Sequence, residues 1–592
     1  IINCMFKNLL TLFDSNDYKQ FSILAIGLLV LSIVEILGIA SIIPFMSIII
    51  DPNSIHSNIY LSELYNYFSF DDESEFAIYF GYVVIFVLIV SNGYGAFMAW
   101  VTHHYTNFLT YKLATGLLKK YITQDYVFFF NRNTSELSKN IFTEVDRIVG
   151  GVLIPLISAF TKIITSLLIL SALIYVDPVV AFISILILGG SYLIIFKLIH
   201  IKLKTLGVKT TELSGLRYKI ASESMLGIKA IILHNIERKF TKRFESTSLE
   251  YFRNIAESSV ISSLPRYALE TISFSGIILI ALFVSKGDNN HNTLAMLSLY
   301  ALAGYKLLPA LQGIYQSVTQ IKYNKSAIDL LMHDFSLASR NMDTQQENIV
   351  FNRTLALDDV SYKYHGNELF TLSNISLNID VNTSVGVVGS TGSGKSTLID
   401  VLTGLLSPTF GKLKIDNKSL DIHTTSEWYK HIGYVPQDIY MMDSSIASNI
   451  ALGVDSDKID YHQINKVLKQ ADLYTFVNTL ADGYNEIIGE QGIKISGGQK
   501  QRIGIARALY HAPDVLVFDE ATSSLDRITE LKIMNSIYKL SKGKTIVIIA
   551  HRISTIKNCD VIYVMDQGKI IDSGSFEYLV SNCKIFNKLS KI

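Results

Sequence analysis

The distribution of apolar residues constrains this chain more than any other feature. Six long, mostly apolar stretches lie at roughly 20–50, 76–104, 150–176, 178–199, 260–285 and 294–320, and none follows residue 322. Hydrocarbon offers no partner to a backbone N–H or C=O, so a segment crossing a bilayer must be helical and about 20 residues long. All six stretches satisfy this, and the first two are long enough to tilt or to extend beyond the lipid. Asp177-Pro178 permits only a tight turn between the third and fourth, which makes them a helical hairpin. Overall the chain is 49% hydrophobic and 18% charged, against about 25% charged in ordinary soluble domains. The excess is confined to the part before 322, so a membrane half is expected to precede a soluble half.

Basic residues set the orientation. The segment 51–75 carries Asp51, Glu63, Asp71, Asp72, Glu73 and Glu75 without a Lys or Arg. Lys112, Lys119, Lys120, Arg132, Lys139 and Arg147 fall in 106–149, and 200–259 includes Lys202, Lys204, Lys209, Arg217, Arg238, Lys239, Lys242 and Arg243. Lys and Arg near span ends stay cytoplasmic, so the first segment is expected outside, the other two inside, and both termini in the cytoplasm. The two basic segments read as helix pairs that prolong the spans. Their turns, Asn131–Leu137 and His234–Phe240, are the expected contacts to another domain; the plainer alternative is solvated loops, although loops this long usually carry structure or function. Residues 54–68 place Ile55, Ile59, Leu61, Leu64, Tyr65 and Phe68 near one helical face. They form either a short helix on the outer membrane surface or a connecting loop.

Lys plus Arg and Asp plus Glu both number 52, so charge makes no case for nucleic-acid binding. Cys4, Cys559 and Cys583 are too few and too scattered for a disulfide framework or a zinc site. The first apolar run is longer than a signal-peptide core and lacks a small-residue cleavage site. Met5 opens MFKNLL and would serve as a start.

The polar stretch 335–350 reads as a linker, and beyond it short β-branched strands (Ser384–Val388, Val515–Phe518, Thr545–Ile549) alternate with helical patterns. That alternation predicts an α/β domain with a largely parallel sheet. Gly389-Ser390-Thr391-Gly392-Ser393-Gly394-Lys395-Ser396-Thr397 follows the first of these strands and precedes the helical run 398–405. This is the setting of a phosphate-binding loop: glycines let backbone N–H groups close around phosphate oxygens, and Lys395 can reach the β and γ phosphates. Ser396 can ligate Mg²⁺, and the helix N-terminus favours anions. In Val515-Leu516-Val517-Phe518-Asp519-Glu520 a buried strand ends in two acids. Asp519 suits the Mg²⁺ shell, and Glu520 the polarising of an attacking water.

At Ile495-Ser496-Gly497-Gly498-Gln499 the chain resembles the ATP-binding-cassette (ABC) family, whose signature usually has Leu at the first position. The resemblance covers essentially the whole chain. It implies that Tyr364 in VSYKY stacks on adenine and that Gln437 in YVPQD senses Mg²⁺ and the interface. By the same resemblance Ser523–Asp526 is the loop that crosses a dimer interface, and His551 the γ-phosphate switch. Glu490 in IIGEQG is similar to an exporter segment, with Gln491 where a basic residue is usual. The family pattern implies a head-to-tail ATP sandwich in which Ser496, Gly497, Gly498 and Gln499 of one subunit close over the phosphate loop of another. One loop and one signature per chain call for a partner, of which an identical copy is the simplest. The expected domains are a six-helix, exporter-type transmembrane region at 1–322, a linker at 323–349 and a P-loop ATPase cassette of α/β type at 350–592.

The membrane half resembles bacterial flippases of lipid-linked oligosaccharides in MFKNLL, VEILGIASIIPF and LPRYALETISF. This implies ATP-driven flipping of a lipid-linked oligosaccharide across the bacterial cytoplasmic membrane. Arg266 and Lys306 lie within expected spans, where a charge is costly unless it has a task. They are candidate contacts to an anionic head group; the plain alternative for Arg266 is an i,i+4 ion pair with Glu270. Glu35 in the first span is given no transport role. Other readings are export of a different lipid or of a peptide, or an ATP-gated channel or sensor. Almost nothing precedes the first span, so no leader-cleaving protease domain is expected there. An intact Glu520 favours sustained turnover over gating, and the apolar spans argue against a soluble cassette protein.

Overall fold

The computed structural model describes residues 13–50, 52–176, 178, 182, 189–284, 290–338, 348–421, 424–520, 527–540, 543–550 and 552–590. It divides into two compact units, Ile1–Gln124 with Phe128–Ser339, and Asp125–Val127 with Arg340–Ile592.

Long helices build the first unit: α1 (Ser15–Ala40), α2 (Glu73–Ile122), α3 (Ile154–Val176), α4 (Gly190–Leu226), α5 (Glu237–Val284), α6 (Asn290–Tyr323) and the shorter α7 (Lys325–Ser336). Among the described residues Ser15–Gly38, Glu73–Ile122 and Thr134–Tyr175 are long and apolar enough to cross a membrane. The other three expected spans fall on α4, α5 and α6 and on residues outside the described set. With 50 residues, α2 is about 75 Å long at 1.5 Å per residue, far more than the ~30 Å hydrocarbon layer requires. Its second half buries Leu109, Leu113, Leu117 and Tyr121, spaced four apart and hence on one face. These pack with Val145, Ile148, Val152 and, from α7, Ala327, Ile328 and Leu331.

Residues 54–68 adopt the helical alternative, as Ser54–Ser57 and Ile59–Tyr67. The Asn58 side chain accepts from the Tyr60 and Leu61 amides and so starts the second helix. The expected linker 323–349 is helical over α7, where Ala327, Ile328 and Leu331 are core residues, so the first unit runs past 322. Of the first basic segment, Asp125–Val127 groups with the second unit, whereas the expected turn Asn131–Leu137 stays in the first, partly as the helix Thr134–Lys139. His234–Phe240 also belongs to the first unit; there Asn235 takes a left-handed turn (φ 50°) just before α5.

Among the described residues of this unit, charges are buried in networks. Glu144, fully enclosed, accepts from Arg147 at 2.8 Å and lies 3.4 Å from Lys139 Nζ. Arg147 also donates to Thr211 Oγ1 on α4 at 3.0 Å. Asp334 on α7 accepts from Tyr121 and Asn140 and sits 3.6 Å from Arg132.

The second unit has two sheets. Strands β1 (Thr354–Tyr362), β2 (Leu372–Asp380), β4 (Phe410–Ile415) and β5 (Lys418–Ser419) form an antiparallel sheet in the order β2-β1-β4-β5. The larger sheet contains β3 (Ser384–Gly389), β6 (Ile432–Val435), β7 (Val515–Asp519), β8 (Thr545–Ile549), β9 (Val561–Asp566) and β10 (Lys569–Gly574). Its order is β10-β9-β3-β8-β7-β6, parallel except for β10. Every residue of β3, β7 and β8 is buried. Their unbroken apolar runs follow from this, since a parallel strand covered on both faces has no solvent side to alternate with. Helices α8 (Lys395–Leu402) and α9 (Gly497–Tyr510) complete the frame of the site.

Replacing Glu144 with Ala leaves Lys139 and Arg147 buried without their anion. The expected cost is about 3–5 kcal/mol, read as a clear fall in the thermal unfolding midpoint of the purified full-length chain. A midpoint equal to wild type would show that the cluster carries no stabilising charge balance.

Candidate nucleotide site

The phosphate loop leaves β3 and turns directly into α8. Two left-handed glycines make the turn, Gly392 at φ 81° and Gly394 at φ 96°, values that a residue with a Cβ adopts only under strain. Gly389 is needed for proximity instead: a Cβ there would lie 2.3 Å from the Met565 carbonyl oxygen of neighbouring β9. Ser393 donates its amide to the Ser390 carbonyl (3.1 Å) and accepts from the Gly568 amide (3.1 Å), which ties the loop to the β9–β10 turn. The buried Lys395 donates through Nζ to the Gly389 and Ser390 carbonyls at 2.9 and 3.0 Å, so its ammonium lies across the loop. Burial lowers its pKa, and the carboxylates of Glu520 and Asp519 oppose that shift. Ser396 is exposed at the start of α8, while Thr397 is buried and lies 3.2 Å from the Tyr364 hydroxyl.

The acids meet the loop from β7. Asp519 ends the strand and accepts from the Tyr434 hydroxyl of β6 at 3.3 Å. Glu520 stands just beyond the strand at φ 51°, a left-handed backbone for a bulky non-glycine residue. Such strain persists only where the surroundings enforce it; here the Glu520 amide is bonded to the Ile549 carbonyl of β8 (3.2 Å). The Gln437 amide donates to Glu520 Oε2 at 2.9 Å. The structure therefore gathers Lys395, Asp519, Glu520 and Gln437 at the carboxyl ends of the parallel strands, where open α/β sheets bind ligands. A hydroxyl, a carboxylate and an amide are the hard oxygen donors that suit Mg²⁺, an ion that takes few protein ligands beside substrate phosphates.

The signature residues stand apart from this cluster. Ser496 caps α9: its hydroxyl accepts from the Gln499 amide (3.3 Å), and Gln499 Oε1 accepts from the Ser496 amide (2.8 Å). Among the described residues no hydrogen bond joins Ser496–Gln499 to Gly389–Thr397. His551 and Ser523–Asp526 lie outside the described residues.

Residues 12–304 match the ABC transporter transmembrane region, and residues 372–523 the ABC transporter domain. A putative export ATP-binding/permease protein of Rickettsia typhi is 30% identical over 439 residues, covering 69% of this chain and 74% of that protein. The chain belongs to the ABC transporter family. This transporter is also similar to the ATP-dependent lipid A-core flippase of Cupriavidus metallidurans, at 28% identity over 82% of this chain and 84% of the relative. Its fold matches a bacterial Atm1-family ABC exporter with ATP bound, with TM-score 0.81 and 22% identity over 97% and 98% of the two chains. The transporter is thus an exporter-type, multi-pass membrane protein whose fused ATP-binding domain makes it an ATP-hydrolysing translocase.

In its membrane half Arg266 lies on α5, one residue after Pro265, with its side chain 59% exposed. Its Nε donates to Glu270 Oε1 at 2.5 Å, so the i,i+4 pair exists. Lys306 is on α6, but its side chain lies outside the described set. Sequence reasoning overlooked two side chains around Asp519. Tyr434 was hidden as an ordinary strand aromatic. Asp400 was hidden in the apolar run 398–402 of α8, where a charge among buried residues was the available signal. Burial, and secondarily the charge of Asp519, push the Asp400 carboxyl up to about 6.

That shift fixes a pH dependence. Asp400 binds its proton more tightly in the folded chain than at its ordinary value of 3.8, so the ionised group opposes folding above about 6 and the penalty fades below it. Asp400→Asn is therefore expected to raise the thermal midpoint at about pH 7.5, with the gain over wild type falling by roughly half near pH 5. A gain independent of pH would show that ionisation of Asp400 is not its cause.

Proposed function

We propose that the transporter works as a homodimer in the bacterial cytoplasmic membrane, with both termini in the cytoplasm, and flips a lipid-linked oligosaccharide at the expense of ATP. In this reading Gly389–Thr397 cradle the phosphates, with Lys395 as their point charge, and Tyr364 stacks on adenine. Ser396, Asp519 and Gln437 surround Mg²⁺, Glu520 polarises the attacking water, and His551 senses the γ phosphate. Ser496, Gly497, Gly498 and Gln499 act on the nucleotide of the partner subunit. The 2.9 Å contact of Gln437 with Glu520 beside Asp519 and Lys395 carries the hydrolytic part of the proposal. A signature with no bond to its own phosphate loop supports the dimer. For the substrate, support comes from relatives named as lipid A-core flippases and from an exposed guanidinium on an expected span. Guanidinium remains charged and grips phosphate with two parallel hydrogen bonds. Lys306 is the second cation assigned to the head group.

Glu520→Gln preserves the shape of the side chain and removes the charge that orients water. Steady-state ATP hydrolysis should be lost while ATP binding persists. A rate within about tenfold of wild type, near 1.4 kcal/mol in barrier, would take Glu520 out of this role.

The substrate assignment is tested by reconstitution into vesicles with labelled lipid-linked sugars. Arg266→Ala should impair flipping per folded dimer and leave basal ATPase activity largely intact; Arg266→Lys should recover only part, lacking the fork. If Arg266 serves only its pair with Glu270, replacing both by apolar residues would restore transport in full. That outcome would sink the head-group role.

A further inference from the structure

The helix that bears the signature is fastened to the loop that bears Gln437. Arg507, ten residues into α9 and half-buried, donates through Nη1 to the Tyr440 carbonyl at 2.8 Å. Its Nε donates to the Asn449 carbonyl (2.7 Å) and its Nη2 to Asn449 Oδ1 (3.2 Å). Asn449, fully buried, bonds back to the same loop: its Oδ1 accepts from the Met442 amide at 2.9 Å and its Nδ2 donates to the Met442 carbonyl at 3.1 Å. Among the described residues no carboxylate pairs with Arg507. Burial disfavours its charge, yet its donors converge on neutral oxygens of two backbone segments. A forked guanidinium can make that set of bonds and an ammonium cannot.

A second contact lies one turn back along α9. A Cβ at Gly504 would lie 2.5 Å from Ile439 Cδ1 and 3.2 Å from its Cγ1 and Cγ2. The absence of a side chain at 504 lets Ile439 sit directly on the helix. Ile439 and Tyr440 follow Gln437 by two and three residues, so the loop is seated at two adjacent points.

We propose that Arg507, with the Gly504 seat, positions Gln437 against Glu520 and is a positioning residue for ATP hydrolysis. This rests on the roles given to Gln437 and Glu520 above. A displacement of about 1 Å at a catalytic group can cost up to a hundredfold in rate, and three residues of loop transmit a shift at Tyr440 to Gln437. The same seat makes the signature helix and the Gln437 loop move together.

The experiment measures kcat and KM for ATP per folded full-length chain in Gln437→Ala, Arg507→Lys, Gly504→Ala and Gly504→Ala with Ile439→Val. Gln437→Ala should lower kcat; if it does not, the site reading itself fails. Arg507→Lys and Gly504→Ala should lower kcat roughly tenfold with KM nearly unchanged, because the phosphate loop is untouched. Ile439→Val removes the Cδ1 that the new methyl would strike, and should restore most of the loss in Gly504→Ala. With Gln437→Ala impaired, wild-type kcat in Gly504→Ala overturns the positioning role, as does a loss that Ile439→Val leaves uncorrected. The Gly504 pair decides the matter even if Arg507→Lys fails to fold.

Discussion

A peptide group in hydrocarbon must find its hydrogen-bond partner within the chain, and the first unit is organised around that requirement. Helices satisfy it locally, which is why α1 to α6 dominate the unit. The same helices outrun the membrane. Where α2 passes beyond the ~30 Å that lipid demands, its buried positions close up from every seventh or eighth residue (Phe76, Val84, Ser91, Met98) to every fourth (Leu109, Leu113, Leu117, Tyr121). Charge buried beside that extension is compensated, Glu144 by Lys139 and Arg147, and Asp334 by Arg132, Tyr121 and Asn140.

The second unit solves a different problem, the concentration of opposite charges at one edge of a sheet. Lys395 and the adjacent Asp519 and Glu520 come from two separate stretches of chain, and the strand order β3-β8-β7 places them together. Each is restrained by hydrogen bonds as well as by charge. Lys395 is anchored to loop carbonyls, Asp519 receives the Tyr434 hydroxyl, and Glu520 is held in a left-handed conformation by β8. A site whose groups are oriented in advance needs little reorganisation when charge develops during phosphoryl transfer. Arg507 and Gly504 extend that restraint to Gln437 through the loop rather than through the site itself.

Much of this was legible from residues in order. Long apolar runs specified helices, because no other secondary structure survives in lipid. The buried strands before Gly389 and Asp519 were readable because parallel strands have two covered faces, and the loop and acid pair because phosphate chemistry admits few residue types. Less accessible were features that depend on neighbours distant in sequence. Residues 325–336 looked like a linker because helix α7 buries only a narrow stripe, Ala327, Ile328 and Leu331, among polar positions. That Asp125–Val127 groups with the second unit was equally hidden, since local polarity marks a turn and nothing more.

By itself, then, the sequence determined the two-part architecture, the helical membrane half and the identity of the phosphate-binding chemistry, because each is imposed by solvent or ligand on a contiguous run of residues. Only the tertiary structure decided which carboxylate Gln437 touches, that Arg266 is joined to Glu270, that burial beside Asp519 raises Asp400, and that Arg507 reaches Tyr440 and Asn449. Even Arg266 and Glu270, one helical turn apart, required side-chain positions to settle whether they meet. The others join positions from 58 to 119 residues apart, and such distances close only when the sheet and its flanking helices pack.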